Sequence, residues 1–167
     1  TPSSAASDVY KRQDFYYWFR LKKEAQIISA QRNNQESLNF IKFNFDKIEN
    51  PNEKILFDVA NFYKKAKNYE EAIRYYSKII ENLDDNSDIK SDILYRRGGT
   101  YERIKNYEKA DKDLIDALQI TPDDAYILNY LAYSWLERDY KINEAIKMLE
   151  TAYELESDDP YIIDSIG

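Results

Sequence analysis

Asn68-Tyr69-Glu70-Glu71-Ala72 recurs as Asn106-Tyr107-Glu108-Lys109-Ala110 and, more loosely, as Lys141-Ile142-Asn143-Glu144-Ala145. The alanines Ala72, Ala110 and Ala145 lie 38 and 35 residues apart. Such regular recurrence marks one supersecondary unit repeated along a chain. Apolar residues follow each alanine at helical spacing: Ile73, Tyr76 and Ile80 form one stripe, and Leu114, Ala117 and Leu118 continue the next. A small residue at a helix crossing lets two helices approach, and a larger one four positions on fills the groove beside it. The clusters Asp84-Asp85, Thr121-Pro122-Asp123-Asp124 and Ser157-Asp158-Asp159-Pro160 stop one helix and cap the next. The pattern predicts helices over 14–33, 35–49, 53–66, 69–82, 89–104, 107–119, 123–138, 142–155 and 160–167, with a longer loop from Leu83 to Ile89.

Aligned on the alanines, the chain resembles the tetratricopeptide repeat (TPR) family, whose pattern is W-x2-L-G-x2-Y, then A-x3-F, then P. Leu56, Val59, Ala60, Tyr63, Ala72 and Tyr76 fill these places in one repeat (53–90). Leu94, Gly98, Tyr101, Ala110, Leu114 and Pro122 fill them in the next (91–124), where Arg97 departs from the Leu place. Leu128, Leu131, Ala132, Trp135, Ala145, Leu149 and Ala152 carry a third (125–159), with one extra residue in its turn. A truncated start follows at 160–167, read with Ile163, Ile166 and Gly167 at the W, L and G places. A degenerate repeat precedes them at 18–52, with Leu21, Ala25, Ile28, Ser37 and Ile41. The resemblance implies an all-α fold, an α-solenoid of antiparallel helix hairpins wound into a right-handed superhelix.

Composition removes most catalytic chemistry. The chain has no Cys and no His, which excludes disulfides, thiol nucleophiles, imidazole bases and the usual zinc sites. Its net charge of −7, without a basic block, argues against nucleic acid. No apolar run approaches the roughly 18 residues of a membrane span. Asp123-Asp124 and Asp158-Asp159 recur one repeat apart, so they read as helix-start caps and not as an acid–base pair. Asp84-x-Asn86-x-Asp88 begins like a calcium loop, but Ile89 and Tyr95 stand where that loop needs Gly and Glu. Gly98-Gly99 lacks the strand of a phosphate loop and reads as a close helix contact. The run Phe15-Tyr16-Tyr17-Trp18-Phe19 with Arg20, Lys22 and Lys23 is open to three readings: a solenoid helix, a membrane-surface helix or a partner patch. No enzyme activity, cofactor or metal site is expected.

The resemblance implies that the first helix of each repeat lines a concave groove. The groove residues are then Lys54, Phe57, Asn61 and Lys64, followed by Tyr95, with Gly99 and Glu102 beside it, then Tyr126, Asn129 and Tyr133, with Tyr161 on the stub. Tyr gives rigid contact area and Asn hydrogen-bonds an extended backbone, so the expected partner is a protein segment, peptide or helix. One TPR subfamily clamps a chaperone C-terminus with Lys, Arg and Asn. Here Asn61 fits, but Phe57, Tyr126 and Tyr130 replace basic groups, so chaperone-tail binding is not expected. Two functions stand: a non-catalytic interaction scaffold, or a regulatory TPR segment of a larger enzyme.

The segment 1–13 is read apart from the array at 14–167. Ser3 to Gln13 back-translates codon for codon into a string that resembles a transposase-based sequencing adapter, the alternative being a natural disordered leader. On that reading the chain is a fragment of a longer protein, expected to be bacterial, and its compartment, cytoplasm or cell envelope and periplasm, is not legible.

Overall fold

The structure is a computed structural model that describes the backbone of residues 4–84 and 87–166, and the side chains of residues 15–84 and 87–165. Helices alone are found among the described residues: α1 (Ser4–Gln31), α2 (Asn34–Phe45), α3 (Glu53–Lys65), α4 (Tyr69–Ile80), α5 (Asp88–Arg103), α6 (Tyr107–Ile120), α7 (Ala125–Glu137), α8 (Ile142–Leu155) and α9 (Pro160–Ile166). Eight of these begin within two residues of the starts expected from sequence. The exception is α1, which begins at Ser4 where 14 was expected. Ala5, Ala6, Lys11, Arg12 and Gln13 are good helix formers, and no Gly or Pro interrupts them. The leader at 1–13 falls partly outside the described residues, as do Asn86 of the calcium-like motif and Gly167 of the stub.

The chain divides into two compact units, Thr1–Ile79 and Ile80–Gly167. In the first, Trp18, Leu21, Ala25, Leu38, Ile41, Val59, Ala60, Ala72, Tyr76 and Ile79 are buried. The stripe read as Ile73, Tyr76 and Ile80 is turned by one residue, because Ala72, Tyr75, Tyr76 and Ile79 are the buried face of α4. Two polar groups add to this core. Ser37, at the alanine place of the degenerate repeat, donates to the Ala25 carbonyl at 2.6 Å. Asp58 of α3 accepts from the Trp18 indole at 3.0 Å and pairs with Lys22 at 2.5 Å. The aromatic run is therefore split: Trp18 points inward, while Phe15, Tyr16 and Phe19 are exposed.

In the second unit, Leu94, Leu114, Ala117, Ile127, Leu131, Ala132, Trp135, Ala145 and Leu149 form one core. Ala125, Leu128, Ala152 and Ile162 form another. Gly98 lets α5 and α6 touch: a Cβ there would meet Leu114 Cγ at 3.0 Å and the Ala110 carbonyl at 3.2 Å. Arg97, the departure from the Leu place, makes a two-pronged pair with buried Asp113 of α6 at 2.7 and 2.8 Å. Burial works against the Arg97 charge, but the Asp113 bonds outweigh it and hold the guanidinium above its ordinary value. On the stub, Ile162 is fully buried, as Ile55, Ile93 and Ile127 are one residue before the W place in the earlier repeats, while Ile163, read in the W place, is 44% exposed.

The hairpin turns share one device. Lys67, Lys105 and Asp139, each two residues past a first helix, have φ of 59°, 59° and 52°. The next amide in each case returns to the helix, as Asn68 to Tyr63, Asn106 to Tyr101 and Tyr140 to Trp135, all at 2.9 Å. This left-handed closure satisfies otherwise orphaned carbonyls. Asp124 caps α7 by accepting from the Tyr126 and Ile127 amides at 3.0 and 3.1 Å, and Asp159 accepts from Tyr161 at 2.8 Å. The second Asp of Asp123-Asp124 and of Asp158-Asp159 is thus a cap, whereas α5, expected to be capped from Asp84-Asp85, starts from Ser87 with no side-chain cap bond.

Candidate partner-binding site

In the first unit, α3 carries Lys54, Phe57, Asn61 and Lys64, spaced so that they share one face. The Phe57 ring is half-buried and lies 6.3 Å from that of Tyr76. The buried Tyr76 hydroxyl donates to Asn61 Oδ1 at 2.8 Å, which fixes the amide. Lys54 is exposed and sits over the Phe15 ring at 5.3 Å, so α1 supplies a neighbour that the groove assignment did not include. Lys64 is half-buried.

In the second unit, α5, α7 and α9 lie side by side through their tyrosines. The Tyr95 ring meets Tyr130 edge-on at 5.5 Å, and Tyr126 stacks on Tyr161 at 6.5 Å. Tyr130 donates its hydroxyl to Glu102. Gly99 makes room for this, since a Cβ there would lie 3.2 Å from the Tyr130 oxygen. Tyr126 donates to Asp159 at 2.7 Å, a bond that holds the phenol above its ordinary range and the carboxyl below its own. Burial pushes the Tyr95 phenol up to about 12 and that of Tyr130 higher still. Tyr126 and Tyr133 stand 44% and 48% exposed. A cavity of about 250 Å³ opens among Glu102, Arg103, Tyr130, Tyr133, Glu137 and Tyr161.

Asn129 is the correction to the expected set. It is 1% exposed, and neither end of its amide has a hydrogen-bond partner among the described residues. It lies one turn on from Ala125 and beside Leu128, both of which pack against Ile162 of α9. Burial therefore removes Asn129 from the open face, on which Tyr126 and Tyr133 remain exposed. Tyr130, which the sequence reading noted only as a missing basic group, instead joins α5 to α7. Its signal in the sequence was slight, because it sits between a buried Asn and a buried Leu.

Residues 53–82 and 91–124 match the tetratricopeptide repeat family. A TPR repeat-containing protein of Pseudomonas aeruginosa is 35% identical over 75 residues, 45% of this chain and 13% of that protein's length. The chain thus spans a small part of that relative. Among solved structures, MamA (41 to the end) of Desulfovibrio magneticus RS-1 superposes with a TM-score of 0.68 at 18% identity, covering 89% of this chain and 81% of that one. The Cut9–Hcn1 hetero-tetramer of the APC/C gives 0.70 at 13% identity, over 89% of this chain and 29% of that one. The first TPR of Spaghetti (RPAP3), bound to the HSP90 peptide SRMEEVD, gives 0.60 at 22% identity, over 71% and 90%. Helix hairpins, repeat match and fold neighbours agree: residues 53–82 and 91–124 carry tetratricopeptide repeats, and the fold is the all-α hairpin array of that kind.

Proposed function

We propose that the chain is a non-catalytic scaffold that holds a peptide or helix of another protein against the first helices of its repeats. The observation that carries this is the set of braced aromatics on those helices. Phe57 and Asn61 are backed by Tyr76, Tyr126 is tied to Asp159, and Tyr133 stands open beside the cavity. A side chain whose rotamer is already fixed loses little entropy on binding, which favours it as an anchor. The second helices offer salt-bridged surface instead, such as Arg74–Glu71 and Lys112–Asp116. The peptide seated on the Spaghetti repeat supports the same mode of use. We read the origin as bacterial, supported by the Pseudomonas relative. No helix of the described residues is long and apolar enough to cross a membrane. Cytoplasm and cell envelope both accommodate this reading.

The test is selection of binders from a random peptide library, followed by two variants. Tyr133→Ala with Tyr161→Ala removes first-helix aromatics, and Arg74→Ala with Lys112→Ala removes second-helix cations. Weakened binding by the first variant alone supports the assignment. Loss by the second alone, with the first folded and fully active, overturns it.

A further inference from the structure

The two units carry opposite charge. Residues 1–79 hold 14 Lys and Arg against 10 Asp and Glu, a net of +4, and residues 80–167 hold 10 against 21, a net of −11. The first-helix wall of the second unit repeats this bias at close range. Its cavity of about 250 Å³ has two carboxylates, Glu102 and Glu137, against one guanidinium, Arg103. The rest of the lining is phenolic: Tyr130, Tyr133 and Tyr161, of which Tyr133 is 48% and Tyr161 52% exposed. Among the described residues Glu137 has no ion pair, and Glu102 is held only by the Tyr130 hydroxyl. Exposed rings beside carboxylates suit a guanidinium or ammonium: the ring faces attract the cation, and the carboxylates take its N–H groups.

We infer that this wall recognises a basic segment of a partner protein, with an Arg or Lys side chain entering the Glu102–Glu137 cavity and its neighbours lying along Tyr133 and Tyr161. This rests on the reading of the first helices as the partner site and adds the sign of the partner. It is opposite in charge to the acidic SRMEEVD peptide of the Spaghetti structure. It also differs from an effect of net charge alone, because it names two of the unit's many carboxylates.

The experiment uses the full chain and three fluorescein-labelled peptides, an Arg-Ser repeat, a Glu-Ser repeat and a Gly-Ser repeat, followed by anisotropy. The Arg-Ser peptide is expected to bind best. Glu102→Gln with Glu137→Gln keeps the acceptor for Tyr130 but removes both charges, and is expected to weaken binding about tenfold. Glu108→Gln with Glu150→Gln, an equal charge change on exposed sites of α6 and α8, is expected to alter it less than about twofold. Equal losses in the two double variants would overturn the inference and reduce the effect to net charge. Preference for the Glu-Ser peptide, lost in Tyr133→Ala with Tyr161→Ala, would overturn the charge assignment while leaving the groove reading intact. Arg-Ser binding insensitive to both the Tyr and the Glu102/Glu137 variants would sink the groove reading itself. Light scattering of the chain alone is run in parallel. A dimer that dissolves on Glu102→Gln with Glu137→Gln would assign the wall to a second copy and overturn the proposal.

Discussion

Two residues in the candidate site act through burial. Asn129 carries a buried amide with no partner, and an unpaired buried polar group costs free energy that an apolar one does not. Asn129→Leu should therefore raise the urea midpoint, by a change worth about 1–2 kcal/mol. A loss of stability would show that the amide is satisfied by something that binds it. Tyr95 is the second case. Its phenol is pushed up to about 12, chiefly by burial, whereas an unfolded phenol ionises near its ordinary value of 10.0. The unfolded chain then binds fewer protons than the folded one between these values. Stability contributed by the neutral ring is full below pH 10 and is lost as pH rises towards 12. Urea titrations across that window, with phenolate absorbance followed alongside, should show the decline, and Tyr95→Phe should lessen it. A flat profile would contradict the burial assigned to Tyr95.

The helix ends and helix pairs show what was legible in the sequence and what was not. Ala72, Ala110 and Ala145 announced the hairpins because a small residue recurring at one crossing is a one-dimensional signal. Asp124 and Asp159 were legible as caps for the same reason. The left-handed Lys67 and Lys105 were not, since Lys has no preference for positive φ and only hydrogen-bond closure of the hairpin imposes it. Lys105→Gly should stabilise the chain by about 0.5–1 kcal/mol, because glycine enters that region without the penalty of a Cβ. An unchanged or lowered melting temperature would mean that Lys105 contributes contacts that outweigh its strain. Arg97 looked like a flaw in the pattern because its partner, Asp113, lies sixteen positions away on the next helix. Restoring the expected residue by Arg97→Leu should destabilise the chain by about 3 kcal/mol, since it leaves the buried Asp113 unpaired. Adding Asp113→Leu should recover most of that loss. Additive losses in a double-mutant cycle would refute the pairing.

At the scale of the molecule, the repeat pattern gave the hairpins and most first-helix positions, because the period fixes which side of a helix each residue takes. Two things needed three dimensions. The burial of Asn129, at 1% exposure, depends on neighbours in space that its polar side chain does not announce in the sequence. The bracing of Tyr130 by Glu102, and its fit against Gly99, joins residues of different repeats, which no spacing within one repeat displays. The central claim is that a partner is held by the first helices and not by the second. Amide chemical-shift mapping of the labelled chain, titrated with the Arg-Ser peptide, tests it directly. The expected shifts cluster at Glu102, Tyr130, Tyr133, Glu137 and Tyr161. Shifts confined to α6 and α8, around Lys112, Lys147 and Glu150, would contradict it.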